Sequence, residues 1–151
     1  AIGTQFARPN ELVWVVAGDG GFQMTMPELS TVAANKLPIK IAIINNGYLG
    51  MVRQWQEFFH GRRYTATPIG GPDFCLLAAA HGIPSLRVAG RGELTSGIRQ
   101  ARRAEGPVVV EFRVEPEDAV YPMVPAGRTL GEMIRRPHPG PRRLSRAGRG
   151  D

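Results

Sequence analysis

Cysteine is almost absent from this chain, and so is any long run of apolar residues. Cys75 is the single cysteine among 151 residues, which excludes an internal disulfide framework and a zinc site built from several cysteines. No apolar run approaches the ~18 residues that a transmembrane helix needs, and no basic segment followed by an apolar one opens the chain as in a secretory signal. We therefore expect a cytoplasmic protein that does not associate with membranes.

The chain is basic, but its excess of positive charge is unevenly distributed. It has 19 lysine and arginine residues against 13 aspartate and glutamate residues, a formal net charge of +6. Residues 128–151 hold seven arginines and two acidic residues, whereas residues 1–127 hold twelve basic and eleven acidic residues and are nearly neutral. Neither a base-reading motif nor an aromatic platform accompanies the arginines. We therefore expect no nucleic-acid partner.

The remaining composition is that of one folded domain with many turns. Hydrophobic residues make up 42% and charged residues 21%, with 19 glycines and 13 prolines, which is a globular balance. Short apolar runs predict buried strands, and stretches with helical spacing predict helices between them. The predicted strands span residues 12–17, 39–44, 85–88 and 107–114, and the predicted helices span residues 26–36, 49–59, 73–81 and 93–104.

The order of these elements indicates the fold class. Connections that contain a helix exclude hairpins and predict right-handed crossovers between parallel strands. We therefore predict an α/β fold, an open and mainly parallel sheet with helices on both faces, in a domain that covers residues 1–127. Within residues 128–151, we predict one short helix over 130–135 and a disordered tail rich in Arg, Pro and Gly over 137–151.

Local signals predict several helix ends and faces. Thr25 and Glu28 have the spacing of a capping box, and a proline at position 27 costs no hydrogen bond in a first helical turn. Gly82 is a typical residue for stopping the helix before it. Leu29, Val32 and Ala33 form the predicted buried stripe of the helix 26–36. Leu49, Val52 and Phe59 fall on one side of the predicted helix 49–59.

Two predicted strand ends carry chemically distinctive residues. The sequence Gly-Asp-Gly-Gly, residues 18–21, follows the first strand, and Asn-Asn-Gly, residues 45–47, follows the second. Ligands of open parallel sheets bind outside the carboxyl ends of the strands, so adjacent strands would bring Asp19 and Asn46 to the same edge. Carboxylate and amide oxygens suit Mg²⁺ or Ca²⁺, and Mg²⁺ typically completes its coordination with phosphates and water.

The glycines around these two residues add to the prediction. Glycine allows the backbone to approach an anion closely, and the start of the following helix favours negative charge. The residues therefore predict a site for a metal-bound diphosphate. Each tripeptide alone is also a common turn former, so the prediction depends on finding the pair at two buried strand ends joined by a crossover.

Longer segments resemble a known family. Gly18-Asp19-Gly20, then 24 residues, then Asn45-Asn46 resembles the signature of thiamine diphosphate enzymes. Residues 18–25 and 44–59 are similar to the large catalytic subunit of acetolactate synthase, as are residues 72–74 and 120–124. The segment 50–55, Gly-Met-Val-Arg-Gln-Trp, is what narrows the resemblance to this family. The similarity extends from residue 1 to about residue 136, nearly the whole predicted ordered chain.

The resemblance implies a role for each matching residue. The side chains of Asp19 and Asn46 and the backbone carbonyl of Tyr48 would hold Mg²⁺. The backbone amides of Gly20 and Gly21 would face the diphosphate. The implied cofactor-binding residues are Gly18, Asp19, Gly20, Gly21, Asn46, Tyr48, Gly50 and Met51, the implied metal ligands are Asp19, Asn46 and Tyr48, and the implied substrate channel contains Met51 and Trp55.

Some of these roles compete with plainer structural ones. On helical spacing alone, Met51 and Trp55 would be core residues; only the resemblance implies the channel. Tyr121 and Met123 would help to close over the site. Glu28 is better explained as a helix cap than as a cofactor contact.

The resemblance also implies what the complete enzyme does. It would join two pyruvates, or pyruvate and 2-oxobutyrate, with loss of CO₂ in branched-chain amino acid biosynthesis. The activating glutamate would lie on another domain, so no catalytic residue is assigned here. We expect this domain to be truncated at its N-terminal edge. N-terminal domains of the enzyme would be missing, and FAD would bind through one of them. We expect the isolated chain to have no activity. A homodimer or tetramer is expected, with a small regulatory subunit as a further partner.

Two alternatives from the sequence stay open. The chain could belong to another thiamine diphosphate-dependent decarboxylase, carboligase or oxidase, or it could be a non-catalytic remnant that only binds or oligomerises. A third alternative, nucleic-acid binding through residues 137–151, would show a steep salt dependence.

His60 and His81 are predicted to be surface residues, and Cys75 a small buried hydrophobic residue.

Overall fold

The computed structural model describes residues 1–137, in which the strands form a single parallel sheet. The strands are β1 (Trp14–Gly18), β2 (Lys40–Asn45), β3 (Ser85–Val88) and β4 (Val108–Arg113). Their order in the four-stranded sheet is β1-β2-β4-β3, and each neighbouring pair runs parallel. Every predicted strand is present: β3 has the predicted bounds, and the ends of the other three shift by one or two residues. The predicted parallel α/β fold is confirmed.

The helices that connect these strands follow the prediction less closely. The three predicted helices after β2 are confirmed, but the one predicted over 26–36 is wrong in extent. A 3₁₀ turn, Met26–Glu28, comes first and the helix Leu29–Ala34 follows. The periodicity also did not indicate two short helices, Ile2–Ala7 and Asp19–Gln23. The α-helices are α1 (Ile2–Ala7), α2 (Asp19–Gln23), α3 (Leu29–Ala34), α4 (Gly50–Phe59), α5 (Phe74–Ala80) and α6 (Leu94–Arg103), and the 3₁₀ turns are Met26–Glu28, Arg91–Glu93 and Leu130–Glu132.

The predicted capping box of Thr25 and Glu28 is wrong. The Thr25 hydroxyl donates to the carbonyl oxygen of Phe22 at 3.4 Å instead of capping the next turn. Glu28 accepts from the hydroxyl of Thr31 at 3.2 Å. The side chain of Thr25 therefore closes the end of α2, a helix that the sequence pattern did not reveal.

Helices cover both faces of the sheet, as predicted. Side chains alternate along the buried strands, so Ile41 and Ile43 contribute to one core and Ala42 to the other. The first core contains residues of α2, α3 and α5, including Phe22, Leu29 and Phe74. The second core forms where α6 packs on β3 and β4, and its buried members are Ala42, Val88, Ala101, Val108, Val110 and Phe112.

Strand β1 is less buried than its apolar sequence predicted. Val16 in its middle is 73% exposed. Among the described residues β1 pairs only with β2, so one of its edges has no strand beside it. The prediction of a strand buried on both faces is therefore wrong for β1 and holds for β2 and β4, which lie between two neighbours.

The chain divides into two compact units, Ala1–Asp118 and a second unit that begins at Ala119. The division comes earlier than the boundary predicted at residue 127. In the second unit, Met123 forms an antiparallel bridge with Ile134. This pairing requires extended backbone, so the helix predicted over 130–135 is reduced to the 3₁₀ turn Leu130–Glu132. Beyond Pro137, the predicted tail lies outside the described residues.

No helix among residues 1–137 has the length and apolarity to cross a membrane.

Candidate cofactor site

A cavity of about 350 Å³ lies where β1 and β2 end. Gly18 and Ile44 are register partners at these strand ends, so the segments that follow them leave the sheet side by side. The lining includes every residue predicted to bind the metal or the cofactor. The lining residues are Gly18, Asp19, Gly20, Gly21, Ile44, Asn46, Tyr48, Leu49, Gly50, Met51 and Val52.

Asp19 occupies the first position of α2 and is only 4% exposed. Its Oδ2 accepts a hydrogen bond from the backbone N–H of Gly47 at 2.9 Å. The bond joins the end of β1 to the loop after β2. Gly47 has a φ of +72°, a left-handed conformation that glycine adopts without strain. The carboxylate is thereby fixed at the edge of the cavity.

The loop after β2 is folded by its own asparagine side chains. Asn45 Oδ1 accepts from the N–H of Gly47 at 3.1 Å, and Asn46 Oδ1 accepts from the N–H of Tyr48 at 3.0 Å. Such local bonds are typical of asparagine in turns. The Asn46 amide, whose oxygen is the second predicted metal ligand, therefore lines the same cavity as the Asp19 carboxylate.

A second segment of chain holds this loop from outside. The N–H of Leu49 donates to the carbonyl of Thr67, and the N–H of Ile69 donates to the carbonyl of Gly47, each at 2.9 Å. Tyr48 forms an isolated antiparallel bridge with Pro68. The backbone of Tyr48, whose carbonyl is a predicted metal ligand, is thus fixed by contacts on both sides.

The glycines of the cavity fall into two groups. A Cβ on Gly20 would lie 2.7 Å from Cδ2 of Leu49, and one on Gly50 would lie 3.3 Å from Nδ2 of Asn46, so both are tightly packed. A Cβ on Gly18 or Gly21 would meet no atom within 4 Å. At Gly18 and Gly21 the bare backbone borders open space, as a site that binds an anion through backbone groups requires.

Helix α4 presents apolar side chains to solvent. Met51 is 67% exposed and Trp55 is 44% exposed, so the interpretation of these two as core residues is wrong. Leu49, Val52 and Phe59, which the spacing places on one side of the helix, are also exposed. Trp55 does not line the Asp19 cavity but borders an adjacent hollow with Val52 and His60.

The buried side of α4 is polar, which the sequence pattern did not indicate. The Arg53 side chain is buried and forms ion pairs with Glu57 at 3.2 Å and with Glu117 at 2.8 Å. Its guanidinium carbon lies 5.1 Å from the ring centroid of Tyr48 and 4.5 Å from that of Tyr64. Arg53 therefore holds Tyr48 against α4.

A network of buried charges beneath the site was also missed. Glu111 of β4 is fully buried, and its carboxylate accepts from Asn45 Nδ2 at 2.7 Å and from Arg87 Nε at 2.6 Å. Arg113 Nε forms an ion pair with the same carboxylate at 2.6 Å. Arg87 also pairs with Asp73 at 2.7 Å, and the hydrogen bond to Asp73 and then that to Glu111 raise the pKa of Arg87. Glutamate within an apolar strand is a sequence signal for such a network, because a buried charge requires partners.

The other residues considered from the sequence lie away from the cavity. His60 is exposed, and His81 is half-buried with Nδ1 3.5 Å from the Ser30 hydroxyl. Cys75 is half-buried, not fully buried as predicted. Its thiol lies near the carboxylates of Asp73 and Glu111, and both of these are paired with arginine. Tyr121 and Met123 belong to the second unit, so their role beside the site stays a prediction.

The chain matches a known protein family. Residues 1–112 match the family "Thiamine pyrophosphate enzyme, C-terminal TPP binding domain". The chain therefore belongs to this family, whose cofactor, thiamine pyrophosphate or thiamine diphosphate, is the one that the sequence resemblance indicated.

Acetolactate synthases are among the proteins similar to this chain. The large subunit from Porphyra purpurea is 48% identical over 136 residues, which are 89% of this chain and 23% of that protein. The enzyme from Mycobacterium leprae is 45% identical over 139 residues, 88% of this chain and 22% of that protein. The isozyme 2 large subunit from Escherichia coli K12 is 38% identical over 135 residues, 89% of this chain and 25% of that protein. The chain thus spans about a quarter of the length of these relatives.

Proposed function

We propose that this chain provides the Mg²⁺- and diphosphate-binding part of the cofactor site of an acetolactate synthase. The complete enzyme condenses two pyruvates, or pyruvate and 2-oxobutyrate, with loss of CO₂. One observation carries the proposal: in a chain of the thiamine diphosphate family, Asp19, Asn46 and Tyr48 line a single cavity at the carboxyl ends of adjacent parallel strands. The identity of 38–48% to acetolactate synthases supports the particular reaction.

The donor set fits magnesium. The Asp19 carboxylate, the Asn46 amide oxygen and the Tyr48 backbone carbonyl are hard oxygen ligands of the kind Mg²⁺ takes, with phosphate oxygens completing its coordination. Asp19 and Asn46 are both held by backbone N–H groups of the loop after β2. The ligands therefore need little rearrangement to receive the ion.

Charge explains why the metal would be needed. Asp19 is the ionisable acid that lines the cavity, and it is almost fully buried. A diphosphate beside this carboxylate would be repelled in a partly desolvated site. A divalent ion between the two groups reverses that interaction. Diphosphate binding is therefore expected to depend on Mg²⁺, with the backbone at Gly20 and Gly21 adding contacts.

The chemistry of the reaction belongs to the cofactor, and this chain binds and orients it. Thiamine diphosphate, when bound, supplies the electron sink for decarboxylation and carbon–carbon bond formation. Gly50 and Met51 would lie beside its rings, and Met51 and Trp55 would give the substrate channel an apolar wall. The activating glutamate, FAD, a regulatory subunit and a homodimeric or tetrameric assembly are proposed for the complete enzyme.

Replacing Asp19 in the complete enzyme tests the metal site. We expect Asp19→Ala to lose thiamine diphosphate during gel filtration in Mg²⁺ buffer, because the ion loses its charged ligand. The bound cofactor would be measured by conversion to fluorescent thiochrome. Glu105→Ala, which removes an exposed carboxylate before β4 at the opposite end of the strands, should retain it. Unchanged retention by Asp19→Ala would refute the site, and products other than acetolactate from pyruvate would indicate a different enzyme of the family.

A further inference from the structure

We propose that Glu111 is a positioning residue for the metal ligand Asp19 and that it acts through Asn45. The inference rests on the proposed Mg²⁺ site and extends it to a strand that contributes no ligand. Glu111 lies on β4, one strand beyond β2, and is fully buried. Three hydrogen bonds connect its carboxylate to that of Asp19.

The first bond fixes the orientation of the Asn45 amide. Asn45 Nδ2 donates to Glu111 Oε1 at 2.7 Å. An ionised carboxylate only accepts hydrogen bonds, so the NH₂ group of Asn45 must face Glu111. The amide oxygen of Asn45 is then forced toward the loop after β2.

The other two bonds carry that orientation to the metal ligand. Asn45 Oδ1 accepts from the N–H of Gly47 at 3.1 Å, and the same N–H donates to Asp19 Oδ2 at 2.9 Å. One backbone N–H is therefore shared between the oxygen that Glu111 orients and the carboxylate that would bind the ion. Groups that hydrogen-bond metal ligands orient them and tune their affinity for the ion, and here Asn45 and Glu111 extend that connection beyond the Gly47 N–H.

The surroundings of Glu111 make its charge essential to this arrangement. Arg87 Nε donates to the carboxylate at 2.6 Å and Arg113 Nε forms an ion pair with it at 2.6 Å, so the hydrogen-bond and ion-pair partners of Glu111 all carry N–H groups. A glutamine at this position would turn an NH₂ group toward one of these donors. If it faced Asn45, the Asn45 amide would flip and place its own NH₂ against the N–H of Gly47.

The test is the Mg²⁺ dependence of cofactor binding by the complete enzyme, measured by equilibrium dialysis without turnover. We expect Glu111→Gln to raise the Mg²⁺ concentration for half-maximal binding by about 10- to 100-fold. Excess Mg²⁺ should restore full binding, because the ligands themselves remain. Asn45→Ala should raise this Mg²⁺ concentration in the same way. The variant with both substitutions should need no more Mg²⁺ for half-maximal binding than the more affected single variant, because both changes break one connection.

A matched control separates positioning from stability. Lys40 begins β2, at the far end from Asn45, and is buried with Nζ bonded to the carbonyls of Ala104 and Gly106 at 2.6 Å. Lys40→Met should lower the midpoint of urea unfolding and leave the Mg²⁺ dependence unchanged. If Glu111→Gln does not fold, Asn45→Ala alone decides the question.

The outcomes distinguish this inference from the site on which it rests. Asp19→Asn serves as the reference. If Asp19→Asn weakens Mg²⁺ binding while Glu111→Gln and Asn45→Ala behave as wild type, the positioning role is wrong and the metal site stands. Additive effects of Glu111→Gln and Asn45→Ala would also overturn it. If Asp19→Asn has no effect, the metal site itself is wrong.

Discussion

At the scale of single residues, polar side chains with fixed partners define the site. Asp19 and Asn46 each accept a backbone N–H from the loop after β2, and Arg53 holds Tyr48 through its ring. Asp73 plays a similar part for α5: its Oδ1 accepts from the N–H groups of Cys75 and Leu76. Each of these groups is oriented before any ligand arrives.

The charge of Asp73 gives a pH prediction. The hydrogen bond to Arg87, followed by the capping bonds, lowers the pKa of Asp73 below its ordinary value of 3.8. A carboxyl group whose pKa falls on folding stabilises the folded state above its unfolded pKa, and this contribution disappears as pH falls through the folded pKa. Asp73→Asn keeps a capping oxygen but removes the charge.

We therefore expect Asp73→Asn to unfold at lower urea concentration than wild type at pH 7. The difference should shrink steadily as the pH falls below about 4, the unfolded pKa of aspartate. Urea unfolding followed by circular dichroism across this range measures it. A difference that stays constant down to pH 2.5 would show that the charge of Asp73 contributes no stability.

At the scale of elements, the close packing of α6 on the sheet requires a glycine within the helix. Helix α6 approaches β3 so closely that a Cβ on Gly97 would lie 2.6 Å from Cγ2 of Val88. Valine has a stiff side chain that cannot rotate away easily. Gly97 is therefore required by packing, although glycine disfavours a helix.

Gly97→Ala tests this packing. Alanine is favoured over glycine in a helix by about 1 kcal/mol, but the clash with Val88 should outweigh that gain and destabilise the domain by about 1–3 kcal/mol. Val88→Ala in the same chain should recover part of the loss attributed to Gly97→Ala. Gln100→Ala, on the exposed side of α6, is the control, and a Gly97→Ala variant as stable as wild type would contradict the packing argument. The free energy of unfolding in urea is the measurement.

At the scale of the whole chain, the sequence allows prediction of the sheet and of the cavity residues because both depend on local patterns. Buried strands are apolar runs, and the residues after them stand at a sheet edge by topology. Helix α2 escaped prediction because it has five residues with two glycines and is stabilised by tertiary contacts. The pairing of Asn45 with Glu111 joins residues 66 apart, which no local pattern contains. The exposure of β1 depends on which strands lie beside it.

The most direct test of the account follows where a divalent ion and a diphosphate bind on the ¹⁵N-labelled chain. Mn²⁺ replaces Mg²⁺ and broadens NMR signals of nearby amides, so even weak binding is located. With Mn²⁺ and thiamine diphosphate together, we predict broadening at the amides of Gly20, Gly47 and Tyr48, sharp signals at Gly82, and loss of the broadening in Asp19→Asn. Broadening centred on Asp73 and Cys75, or broadening at Gly47 that survives Asp19→Asn, would contradict the proposed site.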